Sequence, residues 1–406
     1  MTDSKIINDP VFGFIQVPKG LLLNLVKHPS MQRLRRIKQL GLASMVYPGA
    51  QHTRFQHSLG AFHLMREAIL SLTQKGVYIF DMEAEAISAA ILMHDIGHGP
   101  FSHVLENTLI RGISHEDISL LIMERLNEEM NGGLTLAIRI FQNQYPKQFL
   151  HQLISSQLDV DRLDYLRRDS FFTGVSEGNI GSARIIKMLD VVDDNLVIEQ
   201  KGIYSIENYL IARRLMYWQV YLHKTTVACE SVLVNTLLRA KHLAHEGVSL
   251  FASPSLHYFL YNDVDRDFFE RQSDSLRQFE LLDDNDIISA IKVWMDSDDK
   301  LLSLLSRDII NRHPFKVEIS DEPFSAERIE EITTGLCNAF GVNAEEARFL
   351  YKVNAIQKDL YDIDDEQISI LYNDGTQKNI TEASEILDAG LLSHKKCKYY
   401  LCYHRF

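Results

Sequence analysis

Three histidines, an aspartate, two glycines and a proline fall within the stretch HDIGHGPFSH, directly after the apolar run AEAISAAILM. His94 and Asp95 are adjacent at the expected end of an apolar helix, where buried polar side chains are costly unless they are paired. A metal ion would satisfy both side chains. Any one of these histidines is also typical of a core residue bonded to a backbone carbonyl, and it is their clustering that indicates a metal or proton-transfer site.

A mononuclear metal site needs more donors, and two other segments offer them. His57 stands in HTRFQHSLG and Asp161 in LDVDRLDYLRRD. Two imidazoles and two carboxylates form a mixed nitrogen and oxygen set that suits Mn, Fe, Ni, Zn or Mg, and the sequence does not choose among these metals.

The third of these segments has a helical spacing of its own. Asp161, Tyr165 and Asp169 recur every four residues, so all three project from one helix face, with Arg162 and Arg168 beside them. This pattern indicates either one wall of a polar site or a ladder of surface ion pairs.

A second stripe lies in ARRLMYWQVYLHK. If this segment is one helix, then Arg213, Tyr217, Tyr221 and Lys224 share a face, and His223 lies beside it. Unaided, the pattern is that of an amphipathic helix with an aromatic core stripe.

These residues must be positioned by helices. Apolar residues recur mostly at helical spacing to about residue 240, as in the series that ends at Leu72, and we predict a mainly α first half. One interruption, NLVIEQKGIYSIEN, predicts a short hairpin around Gly202. Residues 241–312 also read as helical.

The end of the chain changes character. FKVEI, FLYKVNAI, QISILYNDGTQKNI and KYYLCYHRF are rich in β-branched and aromatic residues, with helical AERIEEITTGLCNAF and EASEILDAG between them. We therefore expect a mainly α fold with a small C-terminal α+β domain of βαβ-like units. The predicted boundaries are 1–240 for a helical core, 241–312 for a helical extension and 313–406 for the α+β domain.

Composition restricts the class of protein. The 406 residues carry a formal net charge of −13, which argues against a general nucleic-acid binder, because such proteins neutralise phosphates with Lys and Arg. Arg33, Arg35, Arg36 and Lys38 could still meet a small anion, or form a solvated helix face. Four cysteines without CxxC spacing, no apolar leader and no run of about 18 apolar residues predict a cytoplasmic protein with no membrane segment.

The segments HTRFQHSLG, HDIGHGPFSH, SHED and DVDRLDYLRRD resemble, in order and spacing, the successive motifs of the HD-domain phosphohydrolases, specifically the deoxynucleoside triphosphate triphosphohydrolase branch. The resemblance runs from about residue 10 to about residue 225. It implies an HD-domain helical core with one divalent metal ion. The implied metal ligands are His57, His94, Asp95 and Asp161.

The resemblance also implies the groups around that metal. The implied catalytic residues are His98, His103, Glu106 and His115, and we expect Glu106, three residues after His103, to hold that imidazole in its protonated form. The positions matched to phosphate contacts are Arg54, Arg162, Arg213, His223 and Lys224. The positions matched to the sugar side are Gln39, which reads the 3′-hydroxyl, Leu40, which crowds the 2′ carbon, Tyr221, which lies under the sugar, and Tyr165 and Asp169, which line the pocket.

Regulation is implied by further matches. Gln32 and Arg35 match residues of a nucleotide-activator site in regulated members of the family. An acidic side chain recognises a guanine activator in the regulated vertebrate relative, whereas Lys27 stands at the corresponding place here. The family also implies a homo-oligomer, a dimer or a dimer of dimers.

The sequence therefore predicts metal-dependent hydrolysis of a deoxynucleoside triphosphate to deoxynucleoside and tripolyphosphate, with Mg accompanying the nucleotide. One alternative is an HD phosphatase for a monophosphate or an alarmone. The other is a nucleotide sensor without turnover, which predicts phosphate-binding cations but an incomplete metal set.

Overall fold

The structure, a computed structural model, describes residues 4–106, 108–272, 274–358, 367–387 and 396–406, and of His103, Gln357, Lys358 and Lys396 it describes the main chain alone. The expected fold class is confirmed, because a helical core carries a small strand-containing C-terminal region. No helix in these ranges is long and apolar enough to cross a bilayer.

The helices follow one another along the first and second parts of the chain. In the first part they are α1 (Leu21–Lys27), α2 (Pro29–Arg33), α3 (Arg54–Gln74), α4 (Asp81–Met93), α5 (His103–Glu106), α6 (His115–Glu129), α7 (Thr135–Phe141), α8 (Gln148–Gln152), α9 (Val160–Thr173), α10 (Ser182–Met188), α11 (Ile203–Met216) and α12 (Lys224–His245). In the second part they are α13 (Pro254–Tyr261), α14 (Arg266–Arg271), α15 (Ser275–Leu281), α16 (Asp284–Trp294), α17 (Lys300–Asn311), α18 (Ala326–Phe340), α19 (Ala344–Ala347) and α20 (Ile380–Ala383).

Among the described residues the strands are short and form three sheets. They are β1 (Ser4–Asp9), β2 (Gly13–Pro18), β3 (Leu189–Val192), β4 (Asn195–Glu199), β5 (Lys316–Ser320), β6 (Tyr351–Lys358), β7 (Ser369–Leu371), β8 (Gln377–Asn379) and β9 (Lys396–Tyr403). Strands β1 and β2 pair alone, and the other two sheets have the orders β3-β4-β7-β8 and β5-β9-β6.

Helix α3 is the central element, and it packs against α4 and α9. It begins with a capping box in which Thr53 and Gln56 satisfy each other's backbone N–H groups. Its contact with α9 depends on Gly60, since a Cβ there would lie 1.9 Å from Oδ1 of Asp164. The sequence thus fixes both where α3 begins and how closely α9 can approach it.

Helix α9 has clear signals at both ends. The Asp159 side chain accepts a hydrogen bond from the N–H of Arg162, and Gly174 ends the helix in the left-handed region at φ 76°. The predicted helix face of Asp161, Tyr165 and Asp169 is therefore present.

The predicted hairpin around Gly202 is wrong in position. The hairpin is formed by β3 and β4, and its turn is at Asp193 and Asp194, whose φ angles are 50° and 60°. Aspartate tolerates this left-handed conformation, which a two-residue hairpin turn requires. The segment after Gly202 is helix α11, because Ile206 and Leu210 bury one helical face against the core.

The predicted single helix through ARRLMYWQVYLHK is also wrong. Helix α11 continues into a π-helical turn at Tyr217–Tyr221, and the helical conformation ends there before α12 begins at Lys224. The ring of His223 caps α12 by accepting from the N–H of Thr225. Arg213 and Lys224 therefore lie on different helices, and the single face expected to carry both of them with the two tyrosines is not formed.

The four C-terminal segments expected as strands do form strands, with α18 between them. Strands β5 and β6 both run antiparallel to β9, so they are parallel to each other and form a split βαβ unit around it. Strand β7 pairs in parallel with β4 of the first half. Of the helix expected in EASEILDAG, only Glu382 and Ala383 are helical among the described residues, at the end of α20, and the last three residues of that segment lie outside them.

Candidate active site

Three helices bring four metal-type donors together. His57 is on the first turn of α3, His94 and Asp95 directly follow α4, and Asp161 is on the first turn of α9. The Nε2 atoms of His57 and His94 are 3.2 Å apart, and Oδ1 of Asp161 lies 3.0 Å from the former and 3.4 Å from the latter. Carboxylate oxygens of Asp95 lie 3.4 Å from His94 Nε2 and 3.6 Å from His57 Nε2.

The separations among His57, His94 and Asp161 fit donors that share one ion, and the carboxylate of Asp95 lies beside these three. Ligands bound about 2.1 Å from a metal lie about 3.0–3.4 Å apart in octahedral or tetrahedral arrangements. The tautomers fit as well, because Nδ1 of His94 donates to the carbonyl of Ile91 at 2.7 Å and Nδ1 of His57 donates to Asp164 at 2.7 Å. Both rings then present an Nε2 lone pair to the same point.

A buried chain of ion pairs fixes the His57 ring through its Nδ1, the nitrogen that faces away from the other metal-type donors. The carboxylate of Asp164 accepts from Arg168 at 2.9 and 3.0 Å, and Arg168 donates to Asp9 of strand β1 at 2.8 Å. All four side chains are buried. The N-terminal hairpin therefore contributes to the site, which the sequence did not reveal; the spacing of Asp164 and Arg168 by four residues was its one local sign.

A proton and a metal ion compete for the His57 lone pair. Burial opposes a charge on this ring, but hydrogen bonds to Asp161 and Asp164 outweigh it and raise the pKa of His57 to about 10. Burial likewise opposes charge on Asp161, yet the hydrogen bonds from His57 and His94 keep its pKa below the usual value. Metal binding must therefore release a proton, as expected for imidazole ligands.

A second group of polar side chains lies beside the donor cluster. The rings of His98 and His115 stack with centroids 3.9 Å apart, and Nδ1 of His115 lies 3.1 Å from Oε1 of Glu106. Glu106 was expected beside His103, whose side chain lies outside the described residues, so that pairing stays a prediction. Burial, followed by the charge of Arg54, lowers the pKa of His98 to about 3, which makes that ring neutral at pH 7.

The donor cluster opens on a cavity of about 490 Å³. Eleven of the residues predicted from the sequence line it. They are Gln39, Leu40, Arg54, Asp95, His98, His115, Asp161, Arg162, Tyr165, Asp169 and Tyr221. His57 and His94 lie behind Asp95 and Asp161, which contact them. The cavity also has Lys38 and Tyr217 in its wall.

Two of the cavity's cations have protein partners. Arg54 donates to Oδ2 of Asp95 at 2.6 Å and to Oγ of Ser102 at 3.1 Å. Arg162 pairs with Asp159, the residue that caps α9. Both guanidinium groups thus reach the cavity from positions fixed by carboxylates.

Three predicted phosphate-binding residues are not in the described cavity wall. Arg213 is buried and donates to Oε1 of Gln157 at 3.0 Å. His223 caps α12, and Lys224 is exposed at its first residue. Their assignment to phosphate contacts stays a prediction.

The far side of the cavity contains a cluster of polar side chains, of which the sequence predicted Asp169, Tyr221 and Gln39 but not His52. Oδ2 of Asp169 accepts from the hydroxyl of Tyr221 at 2.8 Å, and its Oδ1 lies 2.7 Å from Nε2 of His52. Oε1 of Gln39 is buried without a hydrogen-bond partner among the described residues. His52 was missed, because a lone histidine in GAQHTRF has no partner at helical spacing.

The basic segment around α2 has mixed roles. Arg33 is buried and donates to the carbonyls of Leu282 and Ile96, so it is structural. The predicted activator residues Gln32 and Arg35 contact each other, with Arg35 Nε donating to Gln32 Oε1 at 2.8 Å. They do not line the cavity described above.

The acidic stretch LLDDND contributes a support to the cavity wall. Asp284 at the start of α16 accepts from the N–H of Lys38 at 2.9 Å. Burial raises the pKa of Asp284 to about 6. This contact ties the helical extension to the segment that carries Gln39, and no local sequence pattern predicts it.

Comparison with known proteins identifies relatives over the whole chain. Residues 54–169 match the HD domain, and residues 180–250 match the HD associated region. The chain is 32% identical to the uncharacterized protein YwfO of Bacillus subtilis over 401 residues, which cover 96% of this chain and 90% of YwfO. It is 31% identical to the deoxynucleoside triphosphate triphosphohydrolase SAMHD1 homolog of Dictyostelium discoideum, over 58% of this chain and 49% of that protein.

A solved structure is also similar. The crystal structure of a phosphohydrolase from Bacteroides thetaiotaomicron superposes with a TM-score of 0.97 at 65% identity, covering 99% of this chain and all of that one. The match extends through the C-terminal strands, so the similarity concerns the entire fold.

We predict that replacing His94 and Asp95 together with alanine abolishes tight divalent-metal binding, because half of the donor set is removed. Elemental analysis of protein loaded with Mn²⁺ and desalted measures the bound metal, and circular dichroism checks the fold. The control is His63→Ala, which changes a histidine on the same helix as His57 that packs on Phe12 instead of the cluster. Wild-type metal content in the folded double variant would contradict the assignment.

Proposed function

The chain belongs to the HD-domain phosphohydrolase family, and from this premise we propose that it hydrolyses deoxynucleoside triphosphates to deoxynucleoside and tripolyphosphate. The observation that carries the proposal is the convergence of His57, His94, Asp95 and Asp161 at one wall of a cavity that Arg54 and Arg162 also line. The resemblance of its motifs to the triphosphohydrolase branch supports the choice of substrate, as do relatives that bear that name.

The metal end of the cavity suits a phosphate group. His57, His94, Asp95 and Asp161 would hold a divalent ion, which would supply Lewis-acid polarisation of a phosphate and activation of a water molecule. Arg54 and Arg162 reach the same wall and neutralise charge on the phosphate chain. Nε2 of His98 lies 3.2 Å from Oδ1 of Asp95, so a neutral His98 donates its one N–H to that carboxylate and orients it beside the phosphate chain. Arg213, His223 and Lys224 bind the outer phosphates of the chain.

Hydrolysis also needs a proton at the leaving oxygen. Water attacks the α-phosphorus, the bond from phosphorus to the 5′-oxygen breaks, and that oxygen takes up a proton as the deoxynucleoside departs. The sequence favours His103 as donor. The contacts favour His115, because it lines the cavity and Oε1 of Glu106 lies 3.1 Å from its Nδ1, which fixes the orientation of the ring.

The opposite end suits a deoxyribose. Asp161 and Asp169 are eight residues apart on α9, which separates them by about 12 Å along its axis and leaves room for a sugar beyond the α-phosphate. The ring of Tyr221 packs against the 2′ carbon, and Leu40 crowds it from the other side. Gln39 and Asp169 hydrogen-bond the 3′-hydroxyl.

The remaining features of the proposal concern assembly and control. A nucleotide activator binds at Gln32 and Arg35, with Lys27 in place of an acidic residue, and the active unit is a homo-oligomer. The resemblance supports both statements. Mg²⁺ accompanies the nucleotide, and the protein works in the cytoplasm.

We expect the metal-loaded protein to convert dNTPs to deoxynucleoside and tripolyphosphate, and to discriminate against rNTPs. Each dNTP and rNTP is incubated alone and in mixtures, and the products are identified by chromatography. A buried, unpaired 2′-hydroxyl against Tyr221 should cost about tenfold to a hundredfold in kcat/KM. Tyr221→Ala should lose that discrimination, whereas Tyr221→Phe keeps the ring and should retain most of it.

The substrate panel also separates the alternatives. Release of inorganic phosphate from a monophosphate or an alarmone, without dNTP cleavage, would favour the broader HD phosphatase. Binding of dNTP without any product would favour a sensor. Equal use of both sugars by the wild type would refute the deoxyribose assignment.

We predict that His115→Ala lowers kcat by about 10²-fold or more while metal content and substrate Kd stay near wild type. Single-turnover rates and equilibrium binding separate the two effects. Glu106→Gln should give a smaller loss, because the imidazole remains but loses its carboxylate. The companion variant is His103→Ala; if it alone loses turnover and His115→Ala does not, the donor is His103.

A further inference from the structure

We propose that His52 is a positioning residue that sets sugar specificity by aiming Asp169 and Gln39 at the 3′-hydroxyl of the substrate. This inference rests on the proposed function and names a residue that does not itself line the cavity. It depends on two contacts of one buried residue, whose side chain bonds to Asp169 and whose main chain bonds to Gln39.

The side chain of His52 holds the carboxylate of Asp169. The His52 ring is fully buried and stacks on Phe172 with centroids 4.5 Å apart. Its Nε2 lies 2.7 Å from Oδ1 of Asp169, and because an ionised carboxylate only accepts, the imidazole is the donor. Tyr221 donates to the other oxygen at 2.8 Å. The two donors together fix the plane of the carboxylate.

The main chain of His52 holds Gln39. The carbonyl of His52 accepts from the N–H of Gln39 at 3.0 Å, next to a β-bridge between Lys38 and Thr53. The same residue therefore places the backbone of Gln39 and the carboxylate of Asp169. Both side chains line the cavity.

The resulting corner of the cavity requires a hydrogen-bond donor from the ligand. Oε1 of Gln39 is a buried acceptor without a partner among the described residues, and each Asp169 oxygen keeps a second lone pair beyond the bonds named above. A site of this kind rejects a ligand that lacks the hydroxyl, because its polar groups then stay unpaired. That rejection is strong only if the acceptors cannot turn away, and the His52 donor is what prevents Asp169 from turning.

The test compares His52→Phe with His52→Gln. Phenylalanine keeps the aromatic stack on Phe172 but has no N–H, whereas the glutamine amide can reach the position of Nε2 and restore the donor. The backbone carbonyl that holds Gln39 is present in both variants. The readout is the ratio of kcat/KM for a dNTP to that for the matching 2′,3′-dideoxy triphosphate, with metal content and thermal unfolding measured alongside.

We expect the wild type to prefer the dNTP strongly, and His52→Phe to reduce that preference by about tenfold or more, mainly through a higher KM for the dNTP. The dideoxy substrate should change little, and His52→Gln should recover most of the preference. If His52→Phe does not fold, His52→Asn replaces it, since its amide is too short to reach Asp169, and the same loss is expected.

An unchanged preference in a folded His52→Phe would overturn the inference, and so would an equal loss in the glutamine variant, which would indicate a packing role. Either result would leave dNTP hydrolysis by the wild type intact. Absence of dNTP hydrolysis in the wild type would instead refute the proposed function, and this inference with it.

Discussion

Charge balance in a buried space is the constraint on which the rest of this structure depends. Four carboxylates and two guanidinium groups surround the paired imidazoles, which leaves two negative charges for a divalent cation to neutralise. The carboxylates belong to Asp9, Asp95, Asp161 and Asp164, and the guanidinium groups to Arg54 and Arg168. Unpaired charges in such a place are very costly, so each group has to be held at a defined distance from its partners.

That requirement explains features of the fold that lie outside the site itself. Strand β1 contributes Asp9, and Gly60 lets α3 approach the Asp164–Arg168 pair. Gly97 of HDIGHG has a similar role, since a Cβ there would lie 2.2 Å from the carbonyl of His115. The close approach lets Ser119 accept from the N–H of Gly97 and donate to the carbonyl of His94. The motif's spacing thus positions α6, and with it His115, against the metal-binding loop.

The sequence predicted those parts of the fold and site that local patterns encode. The face of α9 follows from a four-residue spacing, and the HD motifs identified the donors that converge. Contacts between distant segments were not predictable. The contact of His52 with Asp169 and that of Lys38 with Asp284 each join residues that are far apart in the sequence, so no local sequence pattern encodes them. The prediction of one continuous helix after Arg213 was wrong for a physical reason. A π-helical turn and a helix cap interrupt the segment, although its amino-acid composition is typical of a helix throughout.

The proposed chemistry requires one divalent ion between His57, His94, Asp95 and Asp161. Anomalous diffraction from crystals of the Mn²⁺-loaded protein tests it most directly, because the method locates the metal independently of activity. We expect a single strong peak about 2.0–2.4 Å from donor atoms of those four residues. A peak held instead by His98, Glu106 and His115, the other cluster of metal-type donors in the described chain, would contradict it, as would the absence of any peak.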